Sequence, residues 1–328
     1  MFALLAGIVI SACGSVAIGR VTAPRASKIA RWSEFVHVRR PLDVAGPLRD
    51  GALVVAADAR LSLLTAVGRV VAFPSGQGAY RSPGGEEPYI AVSPGGAFGN
   101  GTVYALRLSA GRGVVAIGAN GGVRRFVSLS DPGLIDGITF DQTGAFSHRL
   151  LVTISSGSRT TVEAIDARGV IDTITRNAPN VEGGIAVAPS TFGRFAGDLI
   201  ASSETAGQIY AITPQGKSEL VANSQLPHGG DIGVESEAFV PRATNADAFV
   251  ADRLTPGNQH PGDDAILRIR AAALRSAGVE PGDLLVSTEG GALTDAISPS
   301  GVGYRIRIVA QGPAAAHGVG HIAFARSS

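Results

Sequence analysis

Between Glu182 and Val221 four short apolar runs are separated by Gly, Pro and Ser: Ile185-Ala186-Val187, Leu199-Ile200-Ala201, Ile209-Tyr210-Ala211-Ile212 and Leu220-Val221. Each run has the length of a β-strand and each gap that of a turn, so the block reads as one four-stranded antiparallel unit. The rest of the chain repeats it. A turn followed by three apolar residues begins at Leu53, Thr102, Leu150, Leu199, Ala248 and Leu284, the first five spaced by 47 to 50 residues and the last step shorter. A second marker stands 10 to 14 residues before the first, as Ile90-Ala91-Val92, Ile138-Thr139-Phe140, Ile185-Ala186-Val187 and Ala238-Phe239-Val240. A further copy is Ile322-Ala323-Phe324, and Phe98, Phe146 and Phe192 fall at matching places between markers.

Four strands per repeat of this length predict a β-propeller. One such sheet cannot bury both of its faces. Packing each blade between two others does so, and closing the ring removes the last exposed faces. Six markers predict six blades in an all-β fold. Five full blades and a degenerate one are the alternative, because Ala271-Ala272-Ala273-Leu274-Arg275 reads as a short helix where a strand is due. Ile322-Ala323-Phe324 has no partner strands after it, and the repeat at Leu53 has no evident first strand before it. The expectation is that the C-terminal strand closes the ring by completing that first blade.

The glycine-punctuated repeat, with Asp136-Gly137-Ile138-Thr139-Phe140-Asp141 and Gly183-Gly184-Ile185-Ala186-Val187, resembles the six-bladed propellers of the gluconolactonase and senescence-marker-protein type over residues 48–325. The resemblance implies a metal-dependent lactonase, with a metal held by a Glu at an innermost-strand start and by Asn and Asp from other blades. Glu182 or Glu237 matches the Glu. The Asn partners have no match: Asn180 lies near one place and Asn258 falls in a loop. The lone Trp32, outside the repeats, argues against a WD-repeat propeller.

In propellers the starts of the innermost strands and the loops between second and third strands share one face, which is an analogy of fold. Three residues before the marker isoleucine (an alanine in one repeat) stand Glu87, Glu182 and Glu235; one before it stand Tyr89, Glu237 and His321. A strand period of two puts these on one side. Glu182, Glu235, Glu237 and His321 are therefore the candidate metal ligands, with Ca²⁺ or another divalent cation as the expected cofactor. Asp136, Glu204, Asp252, Arg253 and Glu289 are the candidate ligand-binding residues of the same mouth. The bland alternative is that these are turn carboxylates that keep the mouth hydrated. His317 and His321, four apart, form a second candidate pair.

Met1 to Gly19 is uncharged and largely apolar, and Ile10-Ser11-Ala12-Cys13 resembles a bacterial lipobox. The reading is a signal or anchor segment over 1–19 lipidated at Cys13, a basic tether over 20–47 and a propeller over 48–328. Arg20 to Arg40 holds six basic residues and one acidic, Glu34. The first basic residues follow the apolar stretch instead of preceding it, against the usual order of a signal. With one cysteine, neither an intrachain disulfide nor a cysteine zinc site can form. A net charge of +1 and 5% aromatic residues give no support for nucleic-acid binding. The functional expectation is an extracytoplasmic, membrane-anchored monomer that binds a small molecule or a protein at its channel mouth. The alternatives are a metal-dependent lactonase and a structural scaffold.

Overall fold

The computed structural model describes residues 28–76, 80–81, 87–109 and 111–326. Cys13 and the segment 1–19 lie outside the described residues. The protein is a six-bladed β-propeller. From the axis outward, blade 1 is Pro41–Ala45, Leu53–Ala57, Arg60–Leu64 and Val70–Ala72. Blade 2 is Ile90–Val92, Val103–Arg107, Gly113–Ile117 and Val123–Ser128; blade 3 is Leu134–Phe140, Leu150–Ser156, Arg159–Ile165 and Ile171–Pro179. Blade 4 is Ile185–Val187, Leu199–Ser203, Gln208–Ile212 and Ser218–Asn223.

Blades 5 and 6 are interlaced. Val234–Phe239 is the innermost strand of blade 5, but the chain then builds Ala246–Asp252 and Ala265–Ile269 of blade 6. It returns through the helix Ala271–Ser276 to blade 5 as Leu284–Thr288, Thr294–Ser300 and Gly303–Gln311. Finally Gly318–Arg326 supplies the innermost strand of blade 6. The shorter last step of the repeat is thus explained: Leu284 opens the second strand of blade 5, and the helix is the crossover, not a failed strand.

The C-terminal strand closes the ring, though not on the first repeat. Its partner is Ala246–Asp252. The first repeat has its own inner strand, Pro41–Ala45, and the outermost strand of blade 6 is Ser33–His37. Ala30–Arg31 adds a parallel fifth strand to blade 5. Residues 30–45, read above as tether, are therefore part of the propeller, which begins at Ala30 rather than at 48. Trp32 is no outlier either. It is 3% exposed, and its indole N–H donates to Thr294 Oγ1 at 2.8 Å, pinning the N-terminal segment across blades 5 and 6.

Every residue of Leu53–Ala57 and of Leu284–Thr288 is buried. A second strand is covered on both faces by neighbouring blades, so it reads as a continuous apolar run and not as an alternation. The phenylalanine markers fill the wedges between blades. Phe98 packs edge-on against Phe140 with ring centroids 4.9 Å apart, joining blades 2 and 3. Phe192 does the same with Phe239 at 4.8 Å, and its carbonyl accepts the Tyr304 hydroxyl at 2.7 Å, joining blades 4 and 5.

Candidate functional site

The starts of the inner strands and the loops after the second strands do lie at one level. The Glu182 N–H donates to the Ser202 carbonyl at 3.0 Å, the Glu289 N–H to that of Gly233 at 2.7 Å, and the Arg253 N–H to that of His317 at 2.9 Å. Glu87, Glu182, Glu204, Glu235 and Glu289, from blades 2, 4 and 5, come close enough there for their charges to act on one another. Burial first, and then Glu289 and Glu182, raise Glu87 to about 7 against a hydrogen bond from Tyr89 and the charge of Arg253. Burial first, and then Glu289 and Glu182, raise Glu204 to about 8. Glu235 is held well above the carboxylate range by burial and then by Glu87 and Glu289.

Few partners offset this crowding. Tyr89, fully buried, donates its hydroxyl to Glu235. The same surroundings, burial first and then the Glu235 and Glu87 charges, push the phenol above its own ordinary range. Arg253 Nη1 stands 3.7 Å from Glu87 Oε1. His317 Nε2 is 2.8 Å from Glu289 Oε1. Glu204 Oε1 is shielded from solvent and has no hydrogen-bond partner among the described residues.

A second level lies deeper. Glu237 is fully buried, takes a 2.5 Å hydrogen bond from Ser202 Oγ, and is raised to about 8, mainly by burial, against Ser202 and the His321 charge. The Glu237 Oε1 atom has no partner among the described residues. His321 Nδ1 sits 3.0 Å from Asp43 Oδ2. Burial alone would lower the imidazole, but the Asp43 charge and hydrogen bond override it and raise the pKa. A Cβ added at Gly184 would lie 2.8 Å from the Gly320 carbonyl and 3.1 Å from the Glu237 N, so the backbones of blades 4, 5 and 6 converge at this level.

The four residues expected to surround one cation are thus split. Glu182 and Glu235 belong to the upper ring of carboxylates; Glu237 and His321 belong to the deeper level. Among the described residues no three His, Cys, Asp or Glu side chains are arranged to hold one metal ion. His317 and His321 also part company, one with Glu289 and the other with Asp43. Of the candidate ligand-binding residues, Glu204, Arg253 and Glu289 line the upper ring. Asp136 feels Glu182 and Glu87, but it is 1% exposed and turned to Thr153 Oγ1 at 2.8 Å and to Ser155; burial raises it to about 7. Asp252 is engaged by the backbone: its Oδ1 accepts the His317 N–H at 2.8 Å, and burial lifts it to about 6.

β-Bulges account for much of this re-aiming, because one extra residue turns a side chain off the pleat. The ladders shift register at Asp136, at Glu235 and between Pro41 and Asp43. Asp43 is the residue that reading the sequence missed. It is fully buried and joins three blades, accepting Val44 N at 2.8 Å, Ile90 N at 2.7 Å and His321 N at 2.8 Å. A signal for it existed: an inner strand 10 to 14 residues before Leu53 falls at 39–43.

No protein-family model and no curated protein matches this chain. Solved structures do. A Bacteroides thetaiotaomicron protein of unknown function superposes with a TM-score of 0.51 at 11% identity, over 90% of this chain and 70% of that one. A TolB candidate from Agrobacterium tumefaciens gives 0.50 at 13% identity, over 86% and 83%. The likeness is one of fold alone. A gluconolactonase candidate is also among these propellers, at a TM-score of 0.38 and 12% identity over 74% of this chain and 92% of that one. Among the described residues no helix is long and apolar enough to cross a membrane.

Proposed function

We propose that this protein is a binding propeller that takes a small, positively charged ligand at the acidic mouth of its channel. The observation that carries the reading is the group of five glutamates among the described residues, Glu87, Glu182, Glu204, Glu235 and Glu289, whose charges act on one another, with the Arg253 guanidinium 3.7 Å from Glu87. Such a group is costly for the empty protein and is relieved by a cation. An ammonium or guanidinium fits it better than a bare metal ion. Glu235, Glu289 and Glu87 are already directed to Tyr89, His317 and Arg253, so what remains is a scatter of single oxygens, not a coordination shell. Among the described residues the arrangement does not fit a resident divalent cation.

A carboxyl whose folded pKa is raised stabilises the fold fully below its unfolded value near ~4.3 and loses that stability as pH rises through the folded value. Glu87 at about 7 and Glu204 at about 8 place the loss between pH 5 and pH 8.5. The thermal midpoint of the wild type should fall across that window. At pH 8.5 a ligand such as putrescine or agmatine should restore it, by about 2.7 kcal/mol at a hundredfold excess over Kd. The double variant Glu87→Gln, Glu204→Gln should show a shallower fall, because Asp136 and Glu237 still titrate in that window, and should lose the rescue. Calcium and magnesium are the comparison. A protein indifferent to every cation, organic or metal, at pH 8.5 would leave a scaffold role instead.

The proposal includes an extracytoplasmic location through a lipid on Cys13, supported by Ile10-Ser11-Ala12-Cys13 after the uncharged apolar stretch. Cys13→Ser should move the protein from the membrane to the soluble fraction. Equal membrane fractionation of variant and wild type would remove the anchor.

A further inference from the structure

The strand Ala246–Asp252 runs from one face of the propeller to the other. Its Asp252 end stands beside Arg253 and the acidic mouth. Its other end, roughly 20 Å away at ~3.3 Å per residue, borders a depression of about 320 Å³ lined by Asn245, Asp247, Arg268, Arg270, Ala271 and Arg275, among others. Among the described residues, Arg268, Arg270 and Arg275 therefore meet on the face opposite the glutamates.

The one carboxylate there does not cancel them. Asp247 is 3% exposed; its Oδ1 accepts the Ala271 N–H at 2.8 Å and its Oδ2 lies 3.8 Å from Arg268 Nη1. Arg268 is fixed further by stacking on Phe35, its Cζ 4.1 Å from the ring centroid. Arg275 donates one Nη1 to the Thr244 carbonyl, a neutral partner that leaves its charge uncompensated. Arg270 makes no side-chain hydrogen bond or ion pair among the described residues. Arg270 and Arg275 are both exposed at the rim. The depression thus has one guanidinium braced in place and two with donors to spare.

We propose that this depression, lined by Arg268, Arg270 and Arg275, binds a phosphomonoester. A guanidinium presents two parallel N–H groups that match two oxygens of one anion. A phosphomonoester carries three terminal oxygens and up to two charges, so it can engage both free arginines at once; a simple carboxylate satisfies one. The depression is larger than a phosphate group, and Ala271 and Ala272 supply an apolar wall for the organic substituent. The phosphomonoester has two sources, a soluble metabolite or a phospholipid headgroup, and both offer the same group to the same arginines.

The full-length Cys13→Ser chain, used so that no lipid anchor contributes, would be titrated with glycerol 3-phosphate at fixed ionic strength. It would also be floated with vesicles of phosphatidylcholine, alone or with phosphatidic acid. Saturable binding of glycerol 3-phosphate without vesicle enrichment identifies a soluble ligand. Enrichment on phosphatidic acid vesicles alone identifies a headgroup. In either case Arg270→Gln with Arg275→Gln should weaken binding by about tenfold or more, as expected for lost charged hydrogen bonds, with the thermal midpoint in phosphate-free buffer unchanged. Arg305→Gln, an exposed arginine on the third strand pair of blade 5, should bind as the parent does. No binding of either probe overturns the proposal. So does an equal loss in Arg305→Gln, which would mean diffuse attraction to surface charge. The response of the mouth to putrescine is read in the same samples, and it fails or holds independently of this site.

Discussion

Removal of Gly318–Ser328 is expected to abolish the native fold. The strand Gly318–Arg326 is the innermost of blade 6, hydrogen-bonded to Ala246–Asp252 and neighbouring the inner strands of blades 5 and 1. Val319, Ile322, Ala323, Phe324 and Ala325 on it are all buried. Burying a Val, Ile or Phe side chain contributes about 1.5–3 kcal/mol each, so the three largest alone amount to roughly 5–9 kcal/mol. That is comparable to the whole stability of a domain, about 5–15 kcal/mol. The truncation also opens the edge of Ala246–Asp252 and exposes the apolar faces of blades 5 and 1. The truncated chain should be insoluble or lack the near-ultraviolet circular dichroism of the intact protein. A soluble truncated protein with the urea midpoint of the full chain would show that the ring does not depend on this strand.

Asp43→Ala should be the most damaging single substitution at the axis. The carboxylate accepts from Val44 N, Ile90 N and His321 N and pairs with His321 Nδ1, so blades 1, 2 and 6 meet on one side chain. Removing it strands the buried Ile90 and His321 N–H donors and leaves the His321 ring without its partner. Breaking one partner of a buried pair costs about 3–5 kcal/mol, which for a chain of this size lowers the thermal midpoint by roughly 5–8 °C. Asp43→Asn should fare little better, since an amide NH₂ would face N–H donors. The loss should depend on pH. His321 is raised in the fold, so its pairing with Asp43 stabilises fully below the unfolded value near ~6.5 and fades as pH rises through the folded value. Asp43→Asn should therefore lose more at pH 6 than at pH 9. A midpoint within 2 °C of wild type at pH 6, with ~1 kcal/mol as the ordinary cost of a point change, would show that the ring does not lean on this carboxylate.

Both effects arise where the chain crosses between blades, and that is where its sequence is least legible. The strands themselves are marked locally. Leu53–Ala57, and the leading Leu199-Ile200-Ala201 and Leu284-Leu285-Val286 of the matching strands, announce themselves because a second strand is buried on both faces and shows a run of consecutive apolar residues. Turns are marked by residues such as Gly216, whose φ of +81° suits a residue without a Cβ. From these alone the all-β class, six blades and closure by the C-terminal strand follow. Glu87, Glu182 and Glu235 keep one offset from their markers, but that offset does not separate them from Glu237 and His321.

What the repeat does not carry is which strand pairs with which. Ala246–Asp252 has the same apolar pattern whether it lies beside Val234–Phe239 or beside Gly318–Arg326, so the local signal is identical for both pairings. Only the packing of the complete ring selects the interlaced arrangement of blades 5 and 6. Depth along the axis was likewise decided in three dimensions. Glu235 and Glu237 are two apart and share a face by period, yet one faces Glu87 and the other His321, because a bulge and about 6.6 Å of strand rise separate their surroundings. The sequence determined the strands, their number and the carboxylates at their starts, because those are set by each residue's own side chain and near neighbours. The tertiary structure decided the pairing, the bulges and the meeting of three blades on Asp43, because those depend on contacts between residues as far apart as Asp43 and His321.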